Sequence, residues 1–410
     1  MRVLHTSDWH LGQSLHGQDR DLEHQHFLNW LLDQLQTHDV DALLIAGDIF
    51  DTLNPSLKAQ ERLYDFIVEA HQRMPHLHMV MIAGNHDSGA RIELPSALMR
   101  RLNAHAVGRI HWLNDGQLDH QRLLVPLPNR DGDIAAWCLT LPFLRPAEVT
   151  GHAARSDYLS GIRQVHQQLI AAAQAQRQPH QALIAMSHAH LMGGAVSEDS
   201  ERNIVIGTAE ALPASLFPEC ISYVALGHLH KPQRVNQEDR LRYCGSPIPL
   251  SFAEENYPHQ VLLVEFDNAA PKHITALPVP RAIDMQRIGW LSLEETLEQL
   301  HALPEGHLID PYLPWLEVRV TLNEPLPDLR QQIEQAIHGK AARLVRIHTQ
   351  YQRAEHESDQ TALPDLDQIQ PVELFTRAWQ NQYGTEPDDQ VLNDFATLLH
   401  HIEHGEEPSA

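Results

Sequence analysis

The sequence predicts an α/β protein. Residues 1–280 read as a four-layer α/β/β/α sandwich, followed by a small α+β domain over 281–350, a polar linker over 351–370 and a C-terminal helical pair over 371–404. Three observations carry this reading. Short, continuous apolar runs alternate with amphipathic segments from residue 2 onward, as strands buried on both faces and their covering helices do. The pattern stops at the proline-rich "LPVPRAI" and restarts beyond it. Five of the apolar runs end in a burst of Asp, Asn or His.

Taken in order, "RVLHTSD" is a strand, and "HQHFLNWLLDQLQTH" has helical spacing through Phe27, Trp30, Leu31 and Leu35. "DALLIAGD" is a second strand, "AQERLYDFIVEAHQR" a second helix and "LHMVMIAGNHD" a third strand. This order indicates a largely parallel sheet. Three short runs, "HWLN", "RLLVPLP" and "AAWCLTLP", then suggest an antiparallel edge. After the helix "YLSGIRQVHQQLIAAAQAQ" come six strands, "ALIAMSH", "NIVIG", "YVALGH", "LRYCGSP", "QVLLVEF" and "HITALPV", expected to close a second sheet. "LSLEETLEQLHAL", "PWLEVRVTL", "DLRQQIEQAIH" and "ARLVRIHTQ" read as helix, strand, helix, strand. The terminal segments place Phe375, Trp379, Phe395 and Leu398 at helical spacing on apolar faces.

Composition narrows the function. At 410 residues and 42% hydrophobic, the chain can bury two cores, and no apolar stretch approaches the roughly 20 residues of a membrane span. "MRVLHTSDWHLG" lacks the apolar stretch of a signal peptide, so the expected location is the cytoplasm. Cys138, Cys220 and Cys244 are too few and too widely spaced for a disulfide framework or a thiolate metal site. A formal charge of -24 argues against broad attraction to nucleic acid, which leaves any such role to local chemistry or a partner. Histidine is abundant, at 30 residues, so His-x-His spacing alone means little. His24/His26 and His76/His78 read as surface residues.

The five polar strand ends are more specific. They are "VLHTSDWHLG" with Asp8 and His10, "LLIAGDIFD" with Asp48 and Asp51, "VMIAGNHDSG" with Asn85, His86 and Asp87, "LIAMSHAHLMGG" with His188 and His190, and "YVALGHLHKP" with His228 and His230. In α/β sheets the carboxyl ends of strands converge on one crevice, so residues distant in sequence meet there. Carboxylate, amide oxygen and imidazole without thiolate suit a pair of divalent ions of the Mn or Fe type, with Zn and Mg as alternatives. Two such ions, about 3.5 to 4 Å apart, would clamp the attacking and leaving oxygens of a displacement at phosphorus.

These clusters, in this order, resemble the calcineurin-like metallophosphoesterases. "TSDWHLG", "AGDIFDT", "IAGNHDS", "GGAVSEDSERNIVIGT" and "YVALGHLHKPQ" resemble, more narrowly, the SbcD-type nuclease subunits of bacterial double-strand-break nucleases. The resemblance implies one ion held by Asp8, His10 and His230, another by Asn85, His190 and His228, and Asp48 bridging them. His188 is the alternative to His190. His86 would stabilise the transition state or protonate the leaving oxygen, oriented by Asp87, with Asp51 behind the ligands. It further implies Mn2+ or Mg2+ as cofactor and an SbcC-type, SMC-like ATPase as partner, docked through Phe375, Trp379, Phe395 and Leu398. ATP would be consumed by that partner, since this chain has no GxxxxGK[ST] loop. The expected activity is an ATP-dependent 3'-5' double-strand exonuclease and single-strand endonuclease that opens DNA hairpins in replication, recombination and repair, in a homodimer within a heterotetramer. A phosphoesterase for small substrates and an inactive scaffold are the rival readings.

Overall fold

The computed structural model describes residues 1–150, 158–195, 211–306 and 310–351, together with 375, 376, 379, 380, 385–388, 390–392 and 395. Contacts divide the chain into two units, Met1–Tyr351 and Gln352–Ala410.

The first unit is built on two six-stranded sheets. In the first, the strands run in the order Ala270–Pro278, Gln260–Asp267, Arg2–Thr6, Ala42–Ala46, His78–Ile82, Ala104–Val107. From Arg2–Thr6 to Ala104–Val107 all pairings are parallel. In the second, the order is Gln233–Arg234, Leu241–Tyr243, Tyr223–Gly227, Ala182–His188, Ile134–Leu141, Leu124–Pro128, parallel at the centre and antiparallel at both edges.

Period-two alternation decides which core each residue enters. Along Ala42–Ala46, residues Ala42, Leu44 and Ala46 enter the core shared with the second sheet. Leu43 and Ile45 face the opposite way, into a core with Phe27, Leu31 and Leu35 of helix Asp21–Thr37 and Leu63, Phe66 and Ile67 of helix Leu57–Arg73. Helix Tyr158–Gln176 adds Ile162, Val165 and Leu169 to the core of the second sheet. Each buried Leu or Ile contributes roughly 1.5–3 kcal/mol by leaving water.

The sheet membership differs from expectation in one respect. The strands Gln260–Asp267 and Ala270–Pro278 belong to the first sheet, where Gln260–Asp267 pairs antiparallel with Arg2–Thr6. The physical reason is edge protection. Without that pairing, Arg2–Thr6, whose last four residues are buried, would present an open ladder to water. The half-exposed Ala270–Pro278 takes the edge instead. "HWLN" forms no strand beyond a single bridge between Trp112 and Leu118. "NIVIG" lies outside the described residues. His24, expected on the surface, is buried.

Beyond residue 280, three parallel strands, Met285–Ser292, Trp315–Leu322 and Arg343–Tyr351, alternate with helices Leu293–His301 and Leu329–Ala336. Ser292 caps the first of these helices in a reciprocal box with Glu295. The leading strand was not foreseen, because the exposed Gly289 and Trp290 break its apolar period. The helices cover one face of this sheet around Leu316, Val318 and Val320. In the second unit, Asp388 accepts from the backbone N–H groups of Gln390 and Val391, and the Phe375 and Phe395 rings stack 4.1 Å apart. Leu398 lies outside the described residues.

Candidate metal centre

The strand ends of both sheets meet in one place. Beyond their parallel strands, the segments after Arg2–Thr6 and Ala42–Ala46 go on bonding, Asp8 N–H to Gly47 O at 3.0 Å and His10 N–H to Asp48 O at 3.0 Å. They do so in a left-handed backbone. Asp8, His10 and Asp48 have φ of 54°, 47° and 46°, and His228 on the opposing sheet has 103°. Such conformations cost about 1–3 kcal/mol each for residues with a Cβ, and they cluster where a site dictates side-chain direction. Two glycines allow the close approach. A Cβ on Gly84 would strike Asp48, and one on Gly227 would strike the Ala46 carbonyl of the other sheet.

Asp8, His10, Asp48, His188, His228 and His230 are all buried, and Asn85 is half-buried. Asp48 Oδ2 lies 3.6 Å from His10 Nε2 and 3.4 Å from His188 Nε2, between the two halves of the cluster. Its Oδ1 accepts from His86 N–H at 2.8 Å. Asp8 accepts from His228 N–H at 3.0 Å, which ties the two sheets together. The Asn85 Oδ1 stands 3.0 Å from His188 Nε2 and 3.2 Å from His228 Nδ1. Asp8, His10 and His230 offer donor atoms close enough for one ion, and so do Asp8, Asp48 and His188.

Three imidazoles have one nitrogen committed elsewhere. His188 Nδ1 is 2.8 Å from Ala46 O, His10 Nδ1 is 3.1 Å from Asp51 Oδ1, and His230 Nδ1 is 2.9 Å from Glu254 Oε1. A ring that donates from Nδ1 presents Nε2 as its lone-pair nitrogen, the usual arrangement of a histidine ligand. His10 Nε2 is buried and has no hydrogen-bond partner among the described residues. An orphaned buried acceptor facing carboxylates is what a cation would satisfy. The donor set therefore fits divalent ions.

Electrostatics agree. Burial alone would raise the Asp48 carboxyl, but His188, with help from His10 and His86, holds it well below the usual range. Burial opposes protonation of His188, yet the Asp48 carboxylate lifts it to about 9. Burial, then the neighbouring His188 charge, pushes His228 well below its ordinary value. Protons and ions thus compete for the same carboxylate.

The geometry bears on two of the expected roles. His188, and not the favoured His190, enters the donor cluster. His188 ends a strand whose register opposite Gly227 aims it at Asp48 and Asn85. His190 lies two residues beyond, half-exposed, with its ring 6.3 Å from that of His228. Asp87 is engaged with the backbone of the site loops. Its carboxylate accepts from the backbone N–H groups of Ile49, Phe50 and Gly84, stitching two site loops together. Burial and the Asp48 charge push it up to about 6 against those donors. The Asp51 carbonyl lies 2.8 Å from His86 Nδ1. The His86 ring packs 4.7 Å from that of His10.

Sequence reasoning missed Glu254. It is fully buried behind His230, with Oε2 accepting from Leu250 N–H at 2.8 Å. It sits in "SFAEEN", away from any strand end, and the pattern carries no signal for it. Arg145, which donates to the Asp87 carbonyl at 3.0 Å, was missed for the same reason.

Two sheets whose strand ends gather this donor set define a class, and the comparisons agree on it. The family model described as calcineurin-like phosphoesterase matches residues 1–232, more than half of the chain, and the chain belongs to that family. A second model, described as the type 5 capsule protein repressor C-terminal domain, matches residues 281–383. Within the family, the relatives are more particular. The SbcD subunit of the nuclease SbcCD from Rhodobacter capsulatus is 38% identical over 92% of this chain and 94% of its own length. The protein of the same name from Escherichia coli K12 is 34% identical over 98% of both chains, and that of Bacillus subtilis 28% identical over 98% of this chain and 99% of its own. The chain belongs with these SbcD proteins.

Proposed function

We propose that the chain is a nuclease subunit that hydrolyses DNA phosphodiesters with two divalent ions, Mn2+ or Mg2+. The observation that carries this is the orphaned His10 Nε2 set against Asp48, inside a cluster whose other imidazoles are already oriented. Asp8, His10 and His230 would hold one ion and Asn85, His188 and His228 the other, with Asp48, between His10 and His188, within reach of both sets. When bound, the ions neutralise the phosphate and acidify water beside it.

The chain's own residues do the rest. Burial excludes bulk water from Asp8 and Asp48, which strengthens their hold on cations. The Asp51 carbonyl fixes His86 Nδ1 as a donor, so that the ring in its acid form carries a transferable proton on Nε2. Water oxygen bonds to phosphorus and its proton passes to solvent, the bond from phosphorus to the leaving oxygen breaks, and His86 gives that oxygen its proton. Asp87 holds the loops carrying Asp48 and His86 in register.

By similarity to proteins named as part of the nuclease SbcCD, the partner is an SbcC-type ATPase that consumes ATP. The activities we propose are 3'-5' double-strand exonuclease and single-strand endonuclease on hairpins and ends, in replication, recombination and repair. The assembly is a heterotetramer containing a homodimer of this chain, in the cytoplasm. Phe375, Trp379 and Phe395, clustered in the second unit, contact the partner's coiled coil.

The test is cleavage of a hairpin oligonucleotide in Mn2+ by the chain alone and with its partner. His86→Ala is expected to lower the rate by roughly 10²–10⁴-fold, the usual worth of a general acid. Cleavage of small phosphate esters only would select the small-substrate phosphoesterase. No cleavage in any metal, with or without the partner, would leave a scaffold.

A further inference from the structure

The turn Phe252–Glu254 touches both the small sheet and the candidate metal centre. At one end, the Phe252 side chain is buried with Ile283, Met285 and Trp315 of the small domain, and its carbonyl accepts from Arg287. At the other end, Glu254 holds His230. One residue, Ala253, separates a contact of the small domain from the partner of a candidate metal ligand.

Arg287 is itself held. Its Nε donates to Glu317 Oε2 at 2.7 Å, and its Nη1 pairs with Glu255 at 3.0 Å. Glu317 is buried at the centre of the small sheet. A planar guanidinium that bonds a carboxylate on one edge and a carbonyl on another transmits position, because its donors form a rigid fork. Glu254 is fixed equally firmly. Its Oε2 takes Leu250 N–H and the Ser246 hydroxyl, so Oε1 is directed at His230.

We infer that Glu254 and Arg287 are positioning residues through which the small sheet sets the ion held by Asp8, His10 and His230. Glu254 selects the His230 tautomer and raises the basicity of its ligand nitrogen; Arg287, anchored on Glu317, fixes the turn that carries Glu254. The ion held by Asn85, His188 and His228 has no such link through the Phe252–Glu254 turn. This inference rests on the two-ion reading above.

The experiment is calorimetric titration of the metal-free full chain with Mn2+, with metal content measured at saturation. Wild type is expected to take up two ions. Glu254→Leu and Arg287→Met are each expected to weaken one of them about 10–100-fold, the usual effect of removing the hydrogen-bond partner of a ligand. The other ion should stay within about threefold, because its ligands keep their own partners. Glu254→Gln should recover only part of the loss, since its one amide oxygen can accept from His230 Nδ1 only by turning the amide NH2 against Leu250 N–H. Arg330→Met, on an exposed pair with Glu334, should bind as wild type. The metal-free thermal midpoint reports folding, and the Co2+ absorption spectrum of the retained ion should be unchanged. Should Arg287→Met unfold the small sheet, Arg287→Lys decides, because an ammonium cannot span both partners. A folded Arg287 variant that binds both ions as tightly as wild type overturns the inference and leaves the two-ion reading standing. Fewer than two ions on wild type overturns that reading first.

Discussion

Glu317, in the middle of the small sheet, and Asp48, at a strand end of the large one, are both carboxylates removed from water. Their surroundings differ in kind. Glu317 meets two guanidiniums, Arg287 at 2.7 Å and Arg319 at 3.2 Å, with His348 Nε2 3.2 Å from its other oxygen. Arginine stays charged at any relevant pH, so this carboxylate is matched permanently. Asp48 meets imidazoles, and Asp8 lies buried in the same cluster. Neutral imidazole cannot balance two carboxylates, and a protonated one is lost as a ligand. A buried acid ringed by arginine is a structural pair; one ringed by histidine keeps the donors that a cation would need.

The sharpest way to break this contrast is to remove the Asp48 charge. Asp48→Asn should abolish binding of at least one ion and lower DNA cleavage by about 10³-fold or more, the several kcal/mol that metal neutralisation of a phosphate supplies. Chelation of wild type should match it, and added Mn2+ should rescue wild type but not the variant. Retention of both ions by Asp48→Asn, measured on the purified protein, would sink the bridging role.

Next in size is the choice between two histidines. His188→Ala should weaken one ion more than about 100-fold, beyond what loss of a ligand's hydrogen-bond partner costs. His190→Ala should change it less than about tenfold. The reverse order would return the ligand role to His190.

Glu317→Gln tests the other half of the comparison. Cleavage should survive at saturating Mn2+, because Glu317 reaches one ion only through Arg287, while stability falls by about 3 kcal/mol as two guanidiniums lose a buried partner. Arg287 and Arg319 are partly exposed, so water recovers some of that loss. Urea denaturation in chelator measures it, and an unchanged midpoint would mean that Glu317 is not the anchor described.

Much of the candidate centre's layout was legible, because its residues follow strands. A strand end after an apolar run is a position that sequence marks, so Asp8, Asp48, Asn85 and His228 could be named in advance. What the pattern does not encode is direction beyond the strand. His188 and His190 differ by two residues and by nothing else in sequence; only the register of Ala182–His188 against Tyr223–Gly227 separates them. Glu254 was invisible because it reaches the centre from a short turn, through the partner of a ligand. The same limit hid sheet membership. The strand Gln260–Asp267 reads as a strand, but its pairing with Arg2–Thr6 spans most of the domain and leaves no local mark.

The smallest effect concerns a histidine that is buried with no metal role. His166 packs 5.2 Å from the Phe217 ring, its Nδ1 bonded to Ile162 O at 2.9 Å and its Nε2 without a partner among the described residues. Burial depresses it from 6.5 to about 4. The folded state thus binds fewer protons than the unfolded chain between those values, and stability falls as pH drops through the window. From pH 7 to pH 5 this one group costs about 2 kcal/mol, a tenfold change in proton affinity being worth about 1.4 kcal/mol. His5 and His24, each lowered to about 3, add to the same acid slope. His166→Leu should therefore flatten the loss between pH 7 and pH 5 by that amount in metal-free protein, while leaving Mn2+ affinity untouched at pH 7. Parallel stability profiles for variant and wild type would mean that His166 titrates alike in the folded and unfolded chain, and that burial without a charge partner does not depress a histidine here. The metal centre would then lose its contrast with ordinary buried histidines, since it is the carboxylate beside His188, and not burial, that sets His188 apart from His166.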